Sequence, residues 1–310
     1  MPRKAAKKQP TPEINIMQLM ERFGSEDKCH AYLEQLRWPD GVKCPRCQSD
    51  KISRIHERRQ FMCDGCTYQF SVRVGTIFHD SHLPLSKWFV AIYLMGESRK
   101  GVSANQLKRT LGVAYKTAWY LCHRIRAAVK DADTSLLSGI VEVDETFVGG
   151  KRRGVGSGNR TGKKMVLGAI ERGGKLRLKV DQRPDRATLH AFIKANVSDE
   201  AEAIMTDEWP AYRGCGDEDT RHETVNHRQK EWVRGECHTN TVESAWSLFK
   251  RSIVGAYHQI SEKHIERYLD EFEFRFNNRN NPYLFRDTLL RLIASENLEY
   301  KQLTSDEKAA

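Results

Sequence analysis

Residues 140–147 read IVEVDETF, and their strict alternation decides the fold class of the segment that follows. Val141, Val143 and Phe147 fall on one side of an extended chain, and Glu142, Asp144 and Thr146 on the other. That is the period-two pattern of a strand with one apolar face. Downstream, MVLGAI (165–170) and KLRLKV (175–180) are two further strands joined by the turn ERGG, and ATLHAFIKAN (187–196) is an amphipathic helix. AIM (203–205) is a short buried strand ending at Thr206-Asp207. The order is strand, strand, strand, helix, strand, then helices, so the segment is α/β.

The decisive helix is TNTVESAWSLFKRSI (239–253). Asn240 is a preferred N-cap with Glu243 three residues on, and Val242, Trp246, Phe249 and Ile253 recur at helical spacing. Glu243 and Lys250 share one azimuth about 10 Å apart along the axis, too far for a comfortable ion pair and better suited to a shared, extended partner. The simpler reading makes Glu243 the second half of a capping box and Lys250 a solvated charge. With Asp144 on the first strand, Asp207 at the end of the fourth and Glu243 on a late helix, the arrangement is that of a ribonuclease-H-like site. Three such carboxylates close together would drive a proton back onto at least one of them unless cations intervene. Two Mg2+ or Mn2+ ions about 3.5–4 Å apart resolve the repulsion and suit in-line phosphodiester displacement. Glu142, Glu145 and Glu208 are alternative acidic candidates. Taken singly, Asp144 could be a surface acid and Asp207 the N-cap of a helix near Trp209.

Upstream, Cys44-Pro-Arg-Cys47 and Cys63-Asp-Gly-Cys66 are separated by fifteen residues. Two such knuckles facing each other make a closed tetrahedral zinc site, structural rather than catalytic. IHERRQFMC and YQFSVRVGT read as flanking strands, giving a three-stranded zinc ribbon. Residues 84–130 resemble a helix-turn-helix. Ser103 and Gln106 form a capping box, Gly112 ends the short helix, and a second helix from Tyr115 buries Ala118, Leu121, Cys122 and Ile125. The opposite side of that second helix is expected to present Lys116, Tyr120, His123, Arg124 and Arg126 to the major groove. A helical hairpin packed on its neighbours is the alternative.

The chain has 310 residues, with 51 Lys plus Arg against 41 Asp plus Glu, hence a net charge of +10. Such an excess suggests a polyanionic partner, with double-stranded DNA the first expectation. The longest apolar run, Trp88 to Met95, is too short to span a membrane. The basic N-terminus MPRKAAKKQP lacks the apolar core of a secretory signal, and paired cysteines fit a reducing cytoplasm. Gly149–Lys164 holds six Lys or Arg, six Gly and no acid, and reads either as a DNA-gripping loop through Lys151, Arg152 and Arg153 or as a flexible hairpin tip. Cys215, His222, His227, Cys237 and His238 are too irregularly spaced for a second zinc site. A helix from Ser261, with Ile265, Leu269, Phe272 and Phe276 on one face, is expected to cover the sheet, and a last helix spans Leu284 to Ala294.

VDETFVGGK around Asp144, TDEWPAY around Asp207, and HTNTVESAWSLFKRSIVGAYH followed by ISEKHIERYLDEFEFRFNNR resemble bacterial insertion-sequence transposases of the DDE type, similar to insertion-sequence family fifteen-ninety-five. The resemblance covers nearly the whole chain. It implies a multidomain α/β protein: a basic arm and short helical segment (1–40), a zinc ribbon (41–80), a helix-turn-helix segment (81–132), a ribonuclease-H-like mixed-sheet catalytic domain (133–296) and a polar tail (297–310). It implies Asp144, Asp207 and Glu243 as catalytic, with Asn240 and Lys250 toward DNA. The implied chemistry is cleavage at transposon ends and strand transfer into target DNA. The implied partners are terminal inverted repeats, target DNA and further copies of the chain assembled on DNA, and the implied location is the bacterial nucleoid. Competing readings are a DNA-binding regulator or inactive derivative, against which the intact carboxylates speak, and a nuclease of the same fold without strand transfer.

Overall fold

A computed structural model describes residues 14–130, 133–149, 163–182, 185–216, 220–226, 229 and 231–305. These fall into two compact units, within Met1–Ser98, Val102–Val129 and Asn278–Ala310 for the first and Arg99–Gly101 and Lys130–Asn277 for the second.

The first unit opens with α1 (Ile16–Arg22), capped by Asn15, and α2 (Glu26–Arg37), capped by Ser25. A three-stranded antiparallel sheet follows: β1 (Ile52–Ile55), β2 (Gln60–Cys63) and β3 (Gln69–Phe70). IHERRQFMC is therefore not one strand but a hairpin corner plus β2. His56–Arg58 form a 3-10 turn, and Arg59 at φ 51° reverses the chain. Phe61 and Phe70 pack with Trp38 under this sheet, beside Cys44 and Cys63.

Next come α3 (Leu85–Glu97), α4 (Ala104–Leu111) and α5 (Tyr115–Ala128). No side chain of its own caps α3; Glu26 of α2 accepts from the Leu85 and Ser86 amides at 2.8 and 3.1 Å instead. As the sequence suggests, Ser103 caps α4 and Gly112 ends it in the left-handed conformation, φ 59°. Gly112 thus stops α4 three residues before α5 begins at Tyr115.

The second unit is built on a five-stranded sheet. Its strands are β4 (Ile140–Val148), β5 (Lys164–Glu171), β6 (Leu176–Asp181), then after α6 (Arg186–Asn196), β7 (Ala203–Asp207) and β8 (Arg221–Val225). The order is β6-β5-β4-β7-β8, antiparallel from β6 to β4 and parallel from β4 to β8. This is the ribonuclease-H-like mixed sheet. β8 is a strand the sequence reading missed: RHETV carries charge at its start and has only Val225 buried. One face packs Val141, Val143 and Leu167 on Leu189, Phe192 and Ile193 of α6. The other packs Val166 and Ile170 on α7 (Asn240–Ser252) and α8 (Ile265–Asn277). β6 is a sheet edge, and α8 closes it: Glu273 and Asn277 accept from the Leu178 and Leu176 amides, each at 2.8 Å.

The remaining helices, α9 (Leu284–Ala294) and α10 (Tyr300–Thr304), belong to the first unit and not to the catalytic segment in which residues up to 296 were expected. The Ile77 amide bonds the Leu292 carbonyl, and Phe285 packs against Phe23 and Phe89. Nor is 297–304 a loose tail, since Leu303 is buried and Glu299 with Gln302 forms a capping box.

This C-terminal stretch changes the expected DNA-reading face of α5. Tyr120 donates to the Leu298 carbonyl, and Arg124 donates to the His79 carbonyl at 2.6 Å and Asn297 Oδ1 at 2.7 Å. Arg124 is 3% exposed, and His123 and Arg126 are buried. Tyr120 and Arg124, expected on the DNA-reading face, are instead packed on the chain's own C-terminal segment. Lys116 remains exposed at the start of α5, its Nζ 4.3 Å from the Tyr300 ring centre, beside exposed Tyr115 and Thr117.

Candidate active site

β4 aims Glu142, Asp144, Thr146 and Val148 at the α7 side of the sheet, and Val141, Val143 and Phe147 at α6. β4 and β7 run parallel with Glu142 opposite Met205, and the same offset brings Asp144 level with Asp207 at the end of β7. α7 lies over this point because Gly168, the partner of Asp144 in β5, has no side chain: a Cβ there would stand 2.5 Å from Cζ2 of Trp246. The indole thus settles on the sheet, and its Nε1 donates to Asp144 Oδ2 at 3.0 Å.

Asp144, Asp207 and Glu243 line one cavity of about 650 Å³, together with Glu145, Thr146, Trp246, Ser247, Lys250, Arg251 and Val254. Each carboxylate is held. Asp207 Oδ1 accepts from the Trp209 amide at 2.9 Å, and Glu243 Oε1 accepts from the Thr239 hydroxyl at 2.9 Å. Thr239, not the expected Asn240, is the N-cap residue of α7, and its hydroxyl serves Glu243 rather than the helix amides. Asn240 is exposed in the first turn. Past Ser252 the chain continues as one π-helical turn, Ile253–Tyr257, a feature the apolar spacing did not signal.

Burial, then the charges of Glu145 and Asp207, push the Asp144 carboxyl up to about 8. The Tyr212 hydroxyl, which donates to Glu145 Oε2 at 2.8 Å, is held well above its ordinary range by burial and the same acids. Of the alternative candidates, Glu145 is therefore engaged by Tyr212 while still lining the cavity, and Glu142 is fully buried.

In the first unit the Sγ atoms of Cys44, Cys47, Cys63 and Cys66 all lie within 4.8 Å of one another, with Cys44–Cys66 at 3.7 Å and Cys47–Cys63 at 3.5 Å. A tetrahedron with ~2.3 Å Zn–S bonds has edges of about 3.8 Å, so the thiol set fits zinc. It is the one such close group among the described residues, and Cys215, His222, Cys237 and His238 do not form a second. The carboxylates do not close on a single point in this way. His227 and Lys151, Arg152 and Arg153 lie outside the described residues. Among the described residues no helix is long and apolar enough to cross a membrane.

A mixed five-stranded sheet with acidic side chains over one cleft, preceded in the chain by a four-cysteine ribbon, is a multidomain α/β arrangement, and comparison with known proteins gives its class, a transposase. An ISXO2-like transposase domain matches residues 136–277 and a transposase zinc-ribbon domain residues 24–69. The chain is 30% identical over 278 residues to an uncharacterized protein in transposable element ISH50 of Halobacterium salinarum, covering 84% of this chain and 93% of that relative. It therefore belongs to the ISXO2-like transposases, the insertion-sequence family its motifs resemble. Among solved structures it is similar to the Mos1 strand transfer complex, at 13% identity and a TM-score of 0.28, over 66% of this chain and 75% of that one. For the Mos1 paired-end complex with the left transposon end the identity is 14% and the TM-score 0.27, over the same shares of the two chains.

Proposed function

We propose that this transposase cuts the ends of its element and joins them to target DNA, with Asp144, Asp207 and Glu243 holding two Mg2+ or Mn2+ ions. The observation that carries this is the single cavity into which three elements bring those carboxylates, with Lys250 and Arg251 on its wall. The donor set suits hard cations: it is all oxygen, and the Asp144 carboxyl is raised first by burial and then by the neighbouring Glu145 and Asp207 charges. Bound there, the ions supply activation of a water or 3′-hydroxyl and stabilisation of the leaving oxygen.

The chain's own residues do the rest. Trp246, Trp209 and Thr239 orient the three carboxylates by the hydrogen bonds given above. Lys250 and Arg251, exposed on the outer turns of α7, attract the phosphates that flank the scissile bond. Asn240, exposed at the start of α7, extends the same DNA track, and Lys151, Arg152 and Arg153 of the basic Gly-rich segment add positive charge for DNA. Lys116 is the α5 residue placed to meet a phosphate, whereas Arg124 and Tyr120 act inside the fold. The four cysteines hold one structural zinc. Assembly on terminal inverted repeats as a homo-oligomer, in the nucleoid, completes the reading.

The test uses linear DNA carrying the element's ends, target plasmid and Mg2+. Wild-type protein yields both nicked ends and joined products, and Glu243→Gln yields neither. Nicking without joining would make the protein a nuclease, and undiminished products from Glu243→Gln would remove that residue from the site.

A further inference from the structure

The first turn of α7 poses a problem of hydrogen bonding. A helix exposes four amide donors at its start, and a side chain at the N-cap usually accepts from one of them. Thr239 does not do so, because its hydroxyl is committed to Glu243. The acceptor comes instead from the neighbouring strand. Glu142 of β4 takes the Thr241 amide at 2.7 Å and the Val242 amide at 3.0 Å on Oε2. Its Oε1 takes the Thr241 hydroxyl at 2.8 Å and Arg172 Nε at 2.7 Å, with His238 Nδ1 at 3.1 Å. Arg172 also donates to the His238 carbonyl at 3.0 Å, tying the residue just before the N-cap into the same knot.

Glu142 is 0% exposed and both its oxygens are engaged, so it has nothing left with which to bind a ligand in the cavity. It stands two residues before Asp144 on the same face of β4, about 7 Å along the strand. The amides it holds immediately precede Glu243. One carboxylate thereby links the strand bearing Asp144 to the helix turn bearing Glu243.

We propose that Glu142 is a positioning residue for the active site: by capping α7 from β4 it sets the separation between Asp144 and Glu243. This rests on the carboxylate reading of the cavity. A buried charge-assisted cap of this kind is stronger than a neutral one, and it converts strand geometry directly into helix placement. Asp at this position keeps the charge but is one methylene too short to reach both amides without moving the helix. Gln keeps the length and an amide acceptor but loses the charge that Arg172 and the helix terminus complement.

The experiment measures Mn2+ affinity by electron paramagnetic resonance on DNA-free protein, and kcat and KM for end cleavage, in Glu142→Asp, Glu142→Gln and the milder Thr241→Val. Both Glu142 variants are expected to weaken Mn2+ affinity and lower kcat by about 10-fold or more, as loss of an outer-shell partner typically does, with KM for DNA unchanged. Thr241→Val, which removes one of the five contacts and leaves the amides, is expected to shift both in the same direction by less, and serves as the decisive variant if the Glu142 proteins do not fold. Wild-type Mn2+ affinity and kcat in a folded Glu142→Asp protein, or in Thr241→Val where the former does not fold, would overturn the proposal. Asp144→Asn run alongside separates the two levels: if it too binds Mn2+ and cleaves normally, the carboxylate site itself is wrong, whereas its loss beside normal Glu142 variants removes only the positioning role.

Discussion

Trp246 and Asp144 are joined by an indole hydrogen bond of 3.0 Å across a position where β5 carries glycine. Gly168→Ala would place a Cβ 2.5 Å from Cζ2 and 2.7 Å from Cη2 of that indole. Neither the ring, 4% exposed, nor the strand has room to yield. The substitution should destabilise the second unit by about 1–3 kcal/mol, the usual range for overpacking, and alter tryptophan emission. Urea denaturation followed by fluorescence checks it, and a wild-type midpoint would mean that α7 slides freely over β5.

The Asp144 carboxyl also gives the cation-free protein a pH signature. Its pKa is about 8 folded and about 3.9 unfolded, so between those values the folded state binds more protons and stability falls as pH rises. The fall should end near pH 8. Asp270, whose carboxyl is raised to about 6 by burial, adds a loss confined to the lower part of that window. In chelator, Asp144→Asn should therefore flatten stability between pH 6 and 8 while leaving the decline below pH 6. Denaturant midpoints across this range decide the point; an unchanged slope above pH 6 would contradict it.

For the ribbon, one equivalent of zinc per chain is expected on purification, and Cys63→Ser should lose it. Cys63 is fully buried at the end of β2 and packs with Phe61 and Phe70, so the loss should also loosen that small core. Metal analysis with near-ultraviolet circular dichroism measures both effects. Stoichiometric zinc in the variant would remove Cys63 from the ligand set.

On α5, Lys116 and Arg124 are expected to behave differently. Lys116→Ala should reduce the salt dependence of DNA binding by about one unit of slope, the signature of one lost phosphate contact. Arg124→Ala should leave that slope alone and cost about 1–3 kcal/mol of stability, because it leaves the half-buried His79 carbonyl and Asn297 side chain without their donor and empties a buried site. Salt titrations of binding and thermal melts separate the two. A reduced slope for Arg124→Ala would return it to the DNA face.

The contrast between these two residues marks where the sequence was legible. Period-two alternation in β4 gave the faces of the strand, including which side Asp144 occupies, because one buried apolar face imposes that pattern. Ser103 and Gly112 marked both ends of α4 through local backbone chemistry. Arg124 was misread because helical spacing shows two faces of α5 but not that Leu298 and Asn297, more than 170 positions away, cover the polar one. The expected Asn240 cap failed for a similar reason: the first-turn amides go to Glu142, a hundred residues upstream, and no local rule carries that. β8 escaped because an edge strand with one buried residue has almost no periodicity.

On the proposed function, Asp207 is one of the cation-holding carboxylates of a single cleft. Asp207→Asn preserves shape and can still accept from the Trp209 amide, but removes the charge. End cleavage in Mg2+ should be abolished, with binding of the same end DNA nearly unchanged. Cleavage by Asp207→Asn protein at the wild-type rate would contradict the account.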